Sequence, residues 1–233
     1  MAAAGDLEAA KAALDLCPWL DGHGADLRSL LLTEGRLRHF SRGQWAFGEG
    51  DDVGGIFTVV GGIFQVCAQS IGDREVLLNQ LTRGSTIGQS ARFGGGPRLV
   101  TAVSLGDSLA LQVDDEALAR ISEQQSLIWK AVANLPYFQL RGMVRMIAEF
   151  ASLPPRQRLA ARLLRFADGQ EALLTLQLAQ QDLADMTGLS RKTVNACLSD
   201  LEARGLVRRK YAAIEIVDVP GLQAYASVPG ESV

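Results

Sequence analysis

Ser190, Arg191, Lys192 and Asn195 bring recognition chemistry together in one short stretch. The serine hydroxyl suits a helix N-cap, where it accepts an orphan backbone N–H of the first turn. The three residues that follow it offer a guanidinium fork, an ammonium donor and an amide. A helix that shows Arg, Lys and Asn near its N-terminus is suited to the DNA major groove.

The surrounding pattern supplies the elements to position them. Leu178, Leu183, Ala184, Met186 and Leu189 make one buried face, and Gly188 stands where the chain must turn sharply. Val194, Leu198 and Leu201 recur at i, i+4 and i+7 as an inward stripe. Arg191, Lys192, Asn195, Ala196 and Ser199 are left facing out, with Cys197 in the core. Gly205 fits the C′ position that ends the second helix. Arg208-Arg209-Lys210 then leads through Tyr211-Ala212-Ala213 into the alternating strand Ile214–Val217. The prediction is a winged helix-turn-helix with a basic wing for phosphates. A plain helical hairpin with a solvated cationic face competes with it, and the wing weighs against that.

Bulk properties limit the rest. A chain of 233 residues has room for two domains, and 48% hydrophobic with 21% charged residues is ordinary for a soluble globular protein. Residues 1–152 carry 13 Lys/Arg against 17 Asp/Glu, and residues 153–233 carry 10 against 9. No polybasic tail exists, so DNA affinity must come from focused sites. The three cysteines, Cys17, Cys67 and Cys197, lie far apart and form no zinc or iron–sulfur motif. They fit a reducing cytoplasm and structural thiols. His23 and His39 read as structural histidines. The N-terminus lacks the pattern of a signal peptide, and no apolar run of roughly 18 residues suggests a membrane span.

From Leu37 to Val113 short alternating runs are punctuated by glycines, the texture of a β-sandwich or β-roll. Ile56–Val60 and Ile63–Cys67 flank Gly61-Gly62 and predict a β-hairpin. Further strands are predicted at Glu75–Leu81 and Thr101–Leu105, with helices over about 6–16, 27–35 and 115–124. A long helix follows over 126–152. Along it Ala133, Tyr137, Leu140, Val144, Ile147 and Ala151 form a heptad seam of the kind that pairs two helices. A neighbouring stripe, Leu135, Phe138, Met146 and Phe150, is expected to pack on the β domain. Pro136 should kink this helix or mark its true start. Pro154-Pro155 should be the hinge to the last domain. The fold class is thus α+β: a sensor domain over 1–125, a dimerisation helix over 126–153 and a DNA-binding domain over 154–233.

This order of parts resembles the cyclic-AMP receptor protein/FNR (Crp/Fnr) family of bacterial transcription regulators, from about Leu27 to Leu222. Thr187–Asn195 is close to the family's VG-x-SRETV stretch, and Arg158–Leu164 to its RLA-x-x-LL helix. Phe40–Asp51 and Arg83–Gln89 match family runs in the sensor half, with Arg98 at the expected distance. The resemblance implies a cyclic-nucleotide-binding-like β-roll and a homodimer on near-palindromic duplex DNA. Its recognition helices would sit about 34 Å apart. It makes Arg191 the guanine reader. Lys192 replaces a common Glu and cannot accept from cytosine N4, so the half-site should differ from TGTGA at that step. Asn195 is left between adenine and phosphate. Gln180, Gln181, Ser190, Thr193 and Lys210 are candidate phosphate contacts.

The effector pocket implied by the resemblance comprises Gly88, Gln89, Arg98, Leu99, Met143 and Val144. In members that bind cyclic AMP, a Glu holds the ribose and an Arg beside Ser or Thr holds the phosphate. Here the Glu position is Gln89, Leu99 follows Arg98, and the adenine-contacting positions are Met143 and Val144. These departures point away from cyclic AMP, toward another anionic or apolar small molecule or toward no ligand. No cofactor, metal or catalytic set is visible. RNA polymerase is a further partner if the protein is an activator. The competing class is a nucleotide-sensing module that acts on a protein and carries a vestigial DNA domain.

Overall fold

The computed structural model describes residues 4–52, 54–88, 96–167 and 174–227. The chain groups into two compact units, Met1–Arg141 and Gly142–Val233. The first begins with helices α1 (Ala4–Leu14) and α2 (Ala25–Glu34). The strands that follow are β1 (Arg36–Phe40), β2 (Trp45–Phe47), β3 (Ile56–Gly61), β4 (Phe64–Ser70), β5 (Arg74–Leu81), β6 (Thr86–Gly88), β7 (Thr101–Ser104) and β8 (Ser108–Val113). They form two antiparallel sheets, in the orders β1-β8-β3-β6 and β2-β7-β4-β5. Helices α3 (Asp115–Gln124) and α4 (Leu127–Ser152) follow.

Two apolar clusters hold this unit. One contains Phe40, Phe47, Phe57, Val59, Phe64 and Val66, contributed by both sheets. The other joins α1, α2, α3 and the start of α4 to Ile56, Val60, Leu111 and Val113. Strand β3 therefore buries both of its faces, which explains why Ile56, Phe57, Val59 and Val60 do not alternate with exposed polar residues. Here the structure corrects the expected hairpin. β3 pairs with β6 and β8, whereas β4 pairs with β5 and β7 in the other sheet. With β6 and β8 on its two edges, β3 has none left to pair with β4. Gly62 makes the crossing at φ +79°, where a Cβ would collide with Ser108.

The long helix also departs from expectation. Pro136 lies inside α4, nine residues after its first residue, so it does not mark the start. The stripe beside the seam divides. Leu135 and Phe138 pack with the β-domain cluster. Met146 and Phe150 instead meet α5 (Pro155–Leu164): an Arg162 nitrogen lies 4.0 Å from the Met146 sulfur, and Arg158 stacks 5.3 Å over Phe150. Arg165 donates to the Gly142 carbonyl at 2.6 Å and lies 3.8 Å from Glu149. The end of α4 is thus built into the C-terminal unit by arginines of α5.

That unit continues with β9 (Leu174–Leu176), α6 (Gln180–Thr187), α7 (Arg191–Ala203), β10 (Val207–Lys210), β11 (Ala213–Ile216) and α8 (Val219–Ser227). Its sheet has the order β10-β11-β9. Leu159, Leu163, Leu183, Val194, Leu198, Leu201, Ile216 and Leu222 are all buried, so the predicted stripes of α6 and α7 face inward together. This is the winged helix-turn-helix that the sequence predicts, with β9 and α8 as elements it did not. All three cysteines are buried free thiols, and burial pushes Cys17 and Cys197 up from the usual thiol range.

Candidate nucleic-acid interface

The turn between α6 and α7 is set by Gly188, at φ +64° and ψ 24°. The amide of Gly188 donates to the Ala184 carbonyl, and that of Leu189 reaches the same oxygen at 3.2 Å. From α5, Arg158 reaches the Leu153 carbonyl at 3.0 Å and the Thr187 carbonyl at 3.4 Å. One guanidinium thus ties the end of α4 to the end of α6. Ser190 caps α7 as predicted: its Oγ accepts from the Thr193 amide at 3.0 Å and lies 2.8 Å from the Thr193 hydroxyl. The other end of α7 closes on Gly205, with Leu206 N–H donating to Leu201 and Gly205 N–H to Glu202, the Schellman pattern.

Arg191, Lys192, Asn195, Ala196 and Ser199 are exposed on α7. No hydrogen bond or ion pair to another described residue holds the Arg191 or Lys192 side chain. Both cations extend from the positive end of the helix dipole, a favourable place to meet phosphate and base edges. The other candidates are engaged. Gln181 donates to Asp185 at 3.1 Å, and Gln180 Nε2 reaches Asn195 Oδ1 at 3.3 Å. Asn195 Oδ1 also accepts from Arg209 Nη1 at 3.1 Å.

Arg209, read in the sequence only as one cation of the basic wing, is placed differently from its neighbours. It lies in the wing, yet its guanidinium reaches α7, donating to Ser199 Oγ at 3.0 Å and to Glu202 Oε2 at 2.7 Å. The Arg209 backbone N–H also donates to Glu202 Oε1 at 2.8 Å, and these bonds hold the Glu202 carboxyl below its usual range. Arg208 and Lys210 point to the opposite face of β10, where both donate at 2.7 Å to the buried carboxylate of Glu215. Lys210 is the first cause of the lowered Glu215 pKa. Strand alternation was the available signal, because it parts Arg209 from its two basic neighbours. Tyr211 is fully exposed at the wing tip.

In the N-terminal unit Gly88 and Arg98 are brought together. Gly88 has φ +97°, and a Cβ there would lie 2.7 Å from Arg98 Nη1 and from the Gly55 carbonyl oxygen. Arg98 donates from Nη2 to that carbonyl at 2.9 Å and stacks 4.3 Å over Phe47. Burial lowers its pKa. Leu99, the next residue, is 72% exposed. Between the sheets the aromatic cluster leaves a void of about 10 Å³, lined by Phe57, Val59, Phe64 and Ile87 among others. Gln89 lies outside the described residues. Met143 and Val144 are exposed positions of α4 in the C-terminal unit. Seam residues Ala133, Tyr137, Leu140, Val144, Ile147 and Ala151 are all exposed as well.

Two family profiles match this chain: a cyclic nucleotide-binding domain over residues 37–125 and a Crp-like helix-turn-helix domain over residues 157–225. The chain belongs to the Crp/Fnr family. Family relatives span most of its length. It is 26% identical over 185 residues to a CRP-like cAMP-activated global transcriptional regulator of Mycobacterium tuberculosis, covering 77% of this chain and 83% of the relative. It is 25% identical over 210 residues to a cyclic AMP receptor protein of Thermus thermophilus, covering 90% and 96%. In fold it is similar to FixK2 of Bradyrhizobium japonicum, with a TM-score of 0.72 at 16% identity over 85% of this chain and 99% of that one. The Crp/Fnr relatives are transcription regulators with a DNA-binding helix-turn-helix, and this chain is a regulator of that kind. Among the described residues no helix is long and apolar enough to cross a membrane.

Proposed function

We propose that this Crp/Fnr regulator works as a homodimer on near-palindromic DNA, and that its β-roll answers to a small effector other than cyclic AMP or to none. The observation that carries the DNA reading is the pair Arg191 and Lys192, exposed at the capped start of α7. Arg191 reads guanine through O6 and N7, worth about 1–3 kcal/mol of discrimination. Lys192 supplies a donor where an acceptor would read cytosine. Ser190, Thr193, Gln180, Gln181 and Lys210 set register against phosphates. The exposed heptad seam of α4 supports pairing with a second copy. On this reading residues 1–125 sense, 126–153 pair and 154–233 bind DNA, in the cytoplasm. RNA polymerase is a partner if the regulator activates.

The effector reading rests on chemistry. At the positions the resemblance assigns to adenine, Met143 and Val144 offer no polar group, and Gln89 at the ribose position hydrogen-bonds without charge assistance. Arg98 retains the charge for an anion, although its guanidinium already serves Gly55 and Phe47.

The test is a selection from random duplexes by ligand-free protein at fixed salt, because affinity depends steeply on it. A two-fold palindrome should be enriched, and Arg191→Ala should relax its guanine. Enrichment without ligand would mean that any effector acts to release or retune the protein. A folded dimer that enriches nothing, alone or with candidate anions, would refute the DNA reading and favour action on a protein partner.

A further inference from the structure

We infer that Arg209 of the wing makes Asn195 a donor-only reader, so that α7 does not identify adenine at this position. The inference rests on the DNA-binding reading. An asparagine recognises adenine by donating from Nδ2 to N7 while Oδ1 accepts from N6. Both atoms must be available. Here Oδ1 faces Arg209 Nη1 at 3.1 Å and Gln180 Nε2 at 3.3 Å. A guanidinium can only donate, so the atom turned toward it must be the amide oxygen, and the usual ambiguity of an amide flip is removed. A carbonyl oxygen has two lone pairs, and two donors take them.

The exposed Nδ2 has no partner among the described residues and remains as a lone donor on the DNA face. Arg209 is itself fixed at three points: by Glu202 through its backbone N–H and Nε, and by Ser199 through Nη1. It therefore acts as a positioning residue. Ala196 beside it has no long side chain to compete for this space. A lone donor meets N7 or O6 of guanine, N7 of adenine or O4 of thymine equally well in kind. It finds only another donor on cytosine. The expected signature under Asn195 is exclusion of cytosine without preference for adenine.

The experiment is the same random-duplex selection at matched occupancy, run on the full chain and on Arg209→Ala, Asn195→Ala and the double variant. All these side chains are at the surface, so the variants keep the fold. Arg209→Ala should enrich adenine about fivefold or more at a single step of each half-site, the lower range for a bidentate contact. Adding Asn195→Ala should erase that gain. A general weakening from a lost wing cation would lower affinity without changing one base. An adenine preference already present in the wild type and lost with Asn195→Ala would overturn the inference, as would no adenine gain in Arg209→Ala. Failure of the wild type to enrich any sequence would remove the DNA reading itself, an outcome distinct from either of these.

Discussion

Replacing Gly188 by alanine should destabilise the C-terminal unit by about 2–3 kcal/mol. The residue sits at φ +64°, in the left-handed region, where an L side chain costs roughly 1–2 kcal/mol. A Cβ at this position would also lie 2.9 Å from the Cε1 of Phe150, closer than carbon atoms approach without a shift. Because that partner is the edge of one partly buried ring, we assign it about 1 kcal/mol, the low end for overpacking. For a unit of this size each kcal/mol moves Tm by roughly 4–8 °C, so the variant should melt some 10–20 °C lower. Calorimetry would measure this, with urea unfolding as a check that the m-value is unchanged. Two companions separate the contributions. Asparagine tolerates the left-handed region, so Gly188→Asn should retain mainly the ring contact and cost about 1 kcal/mol. Phe150→Leu placed in the Gly188→Ala background should recover that same share. An alanine variant within about 0.5 kcal/mol of wild type, or an asparagine variant as unstable as alanine, would refute the reasoning.

Three further outcomes are expected. Glu215→Gln withdraws the carboxylate that holds Arg208 and Lys210, both at 2.7 Å. The slope of log K against log salt should steepen by about 0.9 for each cation that then takes a further phosphate, and an unchanged slope would mean that Glu215 withholds neither cation from DNA. Asp200 is held below the usual carboxylate range first by the Tyr225 hydroxyl, which donates to it at 2.7 Å, and next by Arg204. With the folded pKa depressed, this stabilisation is complete above the unfolded value of about 3.9 and is lost as pH falls through the folded one. The deficit of Tyr225→Phe, about 1 kcal/mol or less at neutral pH, should therefore shrink in acid, whereas a constant gap in Tm between pH ~7 and ~3 would contradict the assignment. Leu140 and Ile147 are 59% and 64% exposed, so Leu140→Glu with Ile147→Glu should leave each chain folded. Sedimentation should then show monomers, and a persistent dimer would place the interface elsewhere.

Much of the interface was legible as sequence because its signals are local. A serine cap, a turn glycine and an apolar stripe at i, i+4 and i+7 act within a few residues, and the fold reproduces all three in α6 and α7. The outward set from Arg191 to Ser199 follows from the same period. The seam of α4 is likewise a periodicity, and its residues do lie on an exposed face. The element missed altogether in the wing sheet, β9, has three residues, too few for a period to register.

What the sequence determined, then, is every feature set by backbone preference and by the repeat of a single helix or strand: the helix-turn-helix, the wing, the glycine-punctuated strands and the long helix. What only the tertiary structure decided is pairing between elements. Gly61-Gly62 specifies a turn, but β6 and β8 take both edges of β3, and β4 pairs in the other sheet. The basic run specifies charge, but Glu215 and Glu202 engage its three cations, while Arg191 and Lys192 stay exposed. Taken by itself, the Asn195 side chain offers both a donor and an acceptor. Its acceptor is taken by an arginine from another element, a choice made by distance in space, which no local pattern encodes.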